Sequence, residues 1–348
     1  MSTASPREHC ENALQCRPVA CPPFLPAIYE HKGWFLRETP SRVARDPDLF
    51  FRALLAEYAE IQPDALTVGI DVYNIEAEAV GCQVTFYEGD DVNIPGIAPQ
   101  HHVVKSGDRL EDVRIPDPLQ AGRMPLLVEV ARRTTAELGS EVWVRGAVSG
   151  PFSLAVSLMG STELFMCTIE DPDFVRRLLQ YAGCIIKQFG QAFIDVGAGV
   201  VLFDSQASPD LLSPQMYESF VQPVMCDVVA YFNDQGVRDV PLIIGGNTTS
   251  IADRCIETGA NNLLCDFTGD WPTWLAKCHY TGRAIRRNLD PRFIQTGDPD
   301  AIYAATQRMI AESQGYPGFI VGTAVVPYGT PSENLLAVRQ ACRDKQKN

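Results

Sequence analysis

From Asp46 onward the hydrophobic positions follow two rhythms, one helical and one extended. Leu49, Ala53, Leu54 and Tyr58 share one helical face. Asp46-Pro47-Asp48 starts that helix and Gln62-Pro63 stops it. A short apolar run over 66–72 follows, then a helical piece over 75–80 with Asn74 as its cap, then a strand over 83–87. Residues 123–138 read as a helix stopped by Gly139. Beyond it the pattern becomes regular. Strands are expected over 142–148, 200–203, 240–244, 262–265, 284–287 and 319–321. Helices are expected after Gly150-Pro151, from Asp171-Pro172 to Val196, and from Ser213-Pro214 to Asn233. Four more are expected over 250–258, 271–279, 298–313 and 333–341.

Strands that alternate with helices pair in parallel, because each crossover returns the chain to the same edge. The pattern therefore predicts an α/β fold, a single-domain (β/α)8 TIM barrel. Seven strands come from the cadence and an eighth from near the amino terminus. Residues 1–20 read as a loose leader and 21–348 as the barrel. An open doubly wound sheet is the alternative. It loses ground because no GxGxxG turn opens the first helix.

Composition narrows the partners. The chain has 348 residues, 46% of them hydrophobic, which is enough for a sizeable core. A net charge of -14 repels phosphate backbones and anionic membranes, so neither nucleic acid nor a membrane is an expected partner. No apolar run approaches the roughly 18 residues that span a bilayer. The polar start lacks the apolar stretch of a secretory signal, so a cytoplasmic location is expected. The 11 cysteines are dispersed without a CxxC pair and read as reduced thiols. The spacing of Cys10, Cys16 and Cys21 fits no common zinc motif.

The chemistry is expected just past the strands. In a βα barrel these positions form one rim around one mouth. Asp71, Asp204 and Asp266 each end an apolar run and are the candidate catalytic acids. Tyr73, Asn74, Ser149, Gln206, Asn247, Thr248, Asn288 and Tyr328 are candidate substrate-binding groups, with Ser205 and Asp290 beside them. Asp71, Asn74, Thr248 and Asp290 have equal claims as turn or cap residues. The Gly-, Pro- and Asp-rich stretch 88–120 reads as a long excursion over the mouth. Its pair His101-His102 reads as solvated rather than as part of the site. No histidine lies on an expected strand, and HExxH, GxSxG and Walker motifs are absent.

Four stretches give the chain a likeness. They are Asp71-Val-Tyr-Asn-Ile-Glu-Ala-Glu-Ala-Val-Gly81, Gly150-Pro-Phe-Ser-Leu-Ala155, Asp204-Ser-Gln-Ala-Ser-Pro209 with Leu212-Ser-Pro214, and Pro327-Tyr-Gly-Thr-Pro-Ser-Glu-Asn334. In order and spacing the chain resembles the uroporphyrinogen decarboxylase superfamily, especially its corrinoid-linked methyltransferases of the methylcobalamin:coenzyme M type. The resemblance implies a TIM barrel and a cobalamin carried by a corrinoid-binding partner protein. It also implies a small-molecule methyl donor or acceptor such as tetrahydrofolate. A homo-oligomer stays open.

The departures shape the expectation further. Where that branch holds zinc, this chain has Ile243, Gly245 and Ala324, none of which offers a ligand atom. No metal site is carried over, and Cys265 alone does not make one. Without zinc to form a thiolate, a nitrogen, oxygen or carbon-halogen substrate, pterin included, replaces a thiol. Two alternatives stand beside this. One is a cofactor-free decarboxylase, for which Asp71 matches the acid near the pyrrole nitrogens. However, residues 17–24 lack the arginine-rich motif, and Ser157 replaces a tyrosine. The other is a non-catalytic family member that binds a small ligand.

Overall fold

The computed structural model describes residues 5–110 and 113–344. Eight strands form the frame: β1 (Phe24–Ala27), β2 (Ala65–Val68), β3 (Trp143–Ser149), β4 (Gly199–Phe203), β5 (Leu242–Ile243), β6 (Asn262–Cys265), β7 (Ala284–Leu289) and β8 (Phe319–Val325). They pair in parallel as two runs, β1-β8-β7-β6 and β2-β3-β4-β5. A parallel bridge between Pro241 and Asn262 joins β5 to β6. At the other seam the Asp64 amide donates to the Phe24 carbonyl oxygen at 3.0 Å. The Asp64 carboxylate in turn accepts from the Phe24 amide at 2.7 Å. The ring is closed, and the fold is the expected TIM barrel rather than an open sheet.

Period-two alternation sorts the strand side chains. The outward set, including Leu66, Val144, Val200, Leu263 and Ile285, merges with the helices into the main core. The inward set forms levels. Leu25, Ala65, Ala284 and Ile320 fill the amino-terminal end. Ala27, Val72, Ala147, Val201, Phe203, Ile243 and Leu264 lie beneath the mouth. Between them the interior is polar and buried: Arg145 lies 3.4 Å from Asp239, with Asn262 and Arg286 nearby in the barrel.

Several expectations change. The leader is not loose over its described part; residues 1–4 lie outside the described residues. A helix, Pro6–Leu14, starts with a reciprocal cap between Ser5 and Glu8. Its buried face, Cys10, Ala13 and Leu14, closes the bottom of the barrel. Nine residues are too few to show a clear period in the sequence. The eighth strand is β1, masked by Pro22, Pro23 and Pro26. Pro26 sits where the β1–β8 register shifts, a position that tolerates a missing amide donor. The expected strand over 83–87 is only Val84–Thr85, paired antiparallel with Gly96–Ile97 outside the barrel. The helix expected from Ser213 to Asn233 is interrupted by a wide turn at Tyr217–Val221. Among the described residues no single helix is long and apolar enough to cross a membrane.

Candidate functional site

The carboxyl ends of the strands enclose a cavity of about 350 Å³. Its wall carries Asp71, Tyr73 and Asn74 from beyond β2, Ser205 from beyond β4, and Asp266 and Asn288 from β6 and β7. These expected residues are brought together. Ile94 and Pro95 of the 88–120 excursion complete the rim.

Each polar group on the wall is anchored. Asp71 is clasped by Arg123, with Nη1 donating to Oδ1 at 3.0 Å and Nη2 donating to Oδ2 at 2.6 Å. The Arg123 Nε donates to Glu78 at 2.6 Å. Asn74 stands at the N-cap of the helix Ile75–Val80, as expected, but its side chain makes no capping hydrogen bond. Its amide instead donates to the Pro95 carbonyl oxygen at 2.7 Å and to Asp71 Oδ2 at 3.3 Å, tying the excursion to the wall. Asp266 accepts three hydrogen bonds: from Asn288 Nδ2 at 2.9 Å, the Phe267 amide at 3.0 Å and the Gly246 amide at 3.0 Å. Several donors are what a buried carboxylate needs. Ser205 Oγ accepts from the Gly245 amide at 3.2 Å. Burial pushes the Tyr73 phenol up to about 12.

Asp204 is not on this wall. It turns behind it, where its carboxylate accepts from the Ser153 amide at 2.7 Å at the start of the helix Pro151–Met159. A Cβ on Gly150 would lie 2.2 Å from the Asp204 Cβ, so only glycine fits there. This contact joins two of the stretches that carry the resemblance, Gly150–Ala155 and Asp204–Pro209. Burial raises the Asp204 carboxyl to about 6. Ser149 is likewise turned away. Its amide donates to Glu76 Oε1 at 2.7 Å, and its Oγ lies 3.0 Å from Glu76 Oε2. Burial raises Glu76 itself to about 7.

Five further expected residues lie off the wall. The Gln206 amide donates to Ser153 Oγ at 3.2 Å. Asn247 is exposed and accepts from the Thr249 amide at 3.2 Å. Thr248 is buried with an unpartnered Oγ1. Tyr328 donates to the Glu38 carbonyl oxygen at 3.2 Å and packs edge-on against Trp34. Asp290 caps the helix Pro291–Thr296. Of the histidine pair, His102 Nδ1 lies 2.8 Å from the Ser157 carbonyl oxygen, and neither ring lines the cavity.

Three polar wall residues were not anticipated: Tyr29, Glu30 and Arg286. The first two follow β1, the strand the prolines masked. Tyr29 packs edge-on against Phe203 with ring centroids 5.3 Å apart. Burial raises Glu30 to about 6. Arg286 had a signal: of two adjacent arginines in a parallel strand, alternation must point one into the barrel.

Ile243, Gly245 and Ala324 all line the cavity, at the positions where the resemblance places zinc ligands. Their side chains carry no donor atom. Among the described residues no group of three His, Cys, Asp or Glu residues is placed to hold a metal ion. Cys265 is buried, 3.7 Å from the Asp266 carbonyl oxygen. The wall does not fit zinc.

The profile of the uroporphyrinogen decarboxylase (URO-D) family matches residues 5–345. The chain belongs to this family. Within it, the chain is 28% identical over 347 residues to a methylcobamide:CoM methyltransferase of Methanosarcina mazei, covering 96% of each chain. It is 26% identical over 302 residues to a uroporphyrinogen decarboxylase of Parasynechococcus marenigrum, covering 84% of this chain and 81% of that one. The solved structure of a methyltransferase from Methanosarcina mazei superposes with a TM-score of 0.85 at 21% identity, covering 97% of this chain and 98% of that one. That likeness carries the fold. The named relatives are enzymes of two kinds, methyltransferases and decarboxylases.

Proposed function

We propose that the protein is a corrinoid-linked methyltransferase. It moves a methyl group between a small molecule in the cavity and cobalamin carried by a partner protein. The observation that carries this reading is the cavity mouth. Ile94 and Val325 line the cavity yet remain 44% and 45% exposed, an apolar rim suited to a partner's flat apolar surface. The likeness to methylcobamide:CoM methyltransferases supports the same reading. Bound cobalamin supplies the cobalt centre that gives or takes the methyl group.

The chain's own residues align the substrate and exclude water. Asp266, held by Asn288 and two backbone amides, is a fixed acceptor for a substrate N–H or O–H. An oxygen or nitrogen that loses its methyl group must gain a proton. Glu30, raised to about 6 by burial, lines the cavity as a group that exchanges a proton just below neutral pH. The wall's lack of zinc ligands favours such a heteroatom over a thiol.

The test is optical. Methylcobalamin is mixed with the enzyme and with tetrahydrofolate, CoM, or methylated ethers and amines in turn. An enzyme-dependent change in the cobalamin spectrum is expected with one of them, and a flat trace with all of them refutes the reading. The second reading, cofactor-free decarboxylation, is favoured by Asp71 on the wall. Coproporphyrinogen formation is its test, and none is expected, because Arg123 already occupies both oxygens of that acid.

A further inference from the structure

Arg286 stands alone among the barrel's buried arginines. Arg123 is paired with Asp71 and Glu78, and Arg145 with Asp239. Arg286 is 5% exposed and lines the cavity. Its Nε is buried without a partner. Neither hydrogen bond nor ion pair engages its guanidinium among the described residues. The neighbouring strand makes room for it. A Cβ on Gly322 would meet the Arg286 Cγ and Cδ at 2.8 Å. Tyr29 lines the same wall, and its hydroxyl makes no hydrogen bond among the described residues.

A guanidinium cannot shed its charge and presents a planar fork of donors. Burying it without an anion is among the costliest things a fold can do. Asp266 and Asp239 act on it only from a distance. Asp266 turns its oxygens to three other donors, and Glu30, on the same wall, forms no ion pair with Arg286 among the described residues. The guanidinium thus faces the cavity without a hydrogen-bonded or ion-paired partner among the described residues, beside an apolar wall of Ala27, Phe203, Ile243 and Leu264.

We propose that Arg286 and Tyr29 form an anion subsite, so that the molecule bound here joins a carboxylate, sulfonate or phosphate head to an apolar body. This assignment rests on the methyltransferase reading, and it names the substrate class of that site.

Calorimetric titration of the purified protein tests it without cobalamin or methyl transfer, so its outcome is independent of the catalytic assay. The probes are benzoate, benzenesulfonate and phenyl phosphate, with neutral benzamide and inorganic phosphate as comparisons. At least one aryl anion is expected to bind about tenfold or more tighter than benzamide. Which head binds best distinguishes the three sources of charge. Arg286→Gln is expected to erase that preference while leaving benzamide unchanged, and Arg286→Lys to keep part of it. The unliganded Arg286→Met protein is expected to melt higher than the wild type, because an unpaired buried charge has gone. A merely structural arginine would lower the melting temperature instead. The proposal is overturned if benzamide matches the aryl anions, if Arg286→Gln keeps the preference, or if inorganic phosphate binds as tightly as the aryl anions.

Discussion

Arg123 and Asp71 form a bidentate pair at the barrel mouth, at 3.0 and 2.6 Å, with both side chains buried. The arginine comes from just before the helix Met124–Leu138, the acid from just beyond β2. The pair binds two remote parts of the chain and fixes one wall of the cavity.

Removing one partner leaves the other charge buried and unpaired. Arg123→Met is expected to lower stability by about 3–5 kcal/mol in urea denaturation. Adding Asp71→Asn to it should restore part of that loss. Equal stability of wild type and Arg123→Met would show that the pair is not formed.

Asp204 makes a pH-dependent contribution whose sign follows from its burial. Its folded carboxyl is raised from 3.8 to about 6. Between those values the folded chain keeps a proton that the unfolded chain has released. Stability therefore falls as pH rises through this window, by roughly 3 kcal/mol at most, and is flat above it. Asp204→Asn should lose this slope when the difference in unfolding free energy is measured from pH 4 to 7. It should also keep methyl-transfer activity, because the residue lies off the cavity wall.

The zinc-ligand positions are open to restoration. A Cβ at Gly245 meets Ser205 Oγ at 3.4 Å and Asp266 Oδ2 at 3.6 Å, ordinary contacts that admit a side chain. Combining Ile243→His, Gly245→Cys and Ala324→Cys is expected to create a protein that retains one zinc per chain by elemental analysis. Native protein should retain far less. Stoichiometric zinc in the native chain would overturn the reading of the wall.

The amino-terminal helix is expected to act as a plug. Ala13 is fully buried against the barrel floor. Ala13→Asp places a lone carboxylate there and should cost several kcal/mol, read as a lower melting temperature. An unchanged melting temperature would restore the picture of a loose leader.

The cadence of strands and helices was legible because its signals are local. Apolar runs, Asp-Pro and Ser-Pro starts and glycine stops each act within a few residues. They placed β3 to β8 within a few residues of their observed ends. The cavity was legible only in part. Asp71, Tyr73, Asn74, Asp266 and Asn288 reach it as expected, but Tyr29 and Glu30 follow a strand hidden by prolines.

The sequence by itself determined the barrel, the face that carries the site, and the absence of ligand atoms at residues 243, 245 and 324. Tertiary structure alone decided which strand-end groups face the cavity. Asp204 and Asp266 look alike in sequence, each an acid closing an apolar strand. One turns back to a helix start and the other forward to the mouth, because the direction of a side chain in a turn is set by neighbouring elements. Pairing is equally non-local. Arg123 and Asp71 lie 52 residues apart and satisfy each other. Arg286, buried among the same strands, forms no ion pair among the described residues, because the nearby acids Asp239 and Asp266 are turned to other donors.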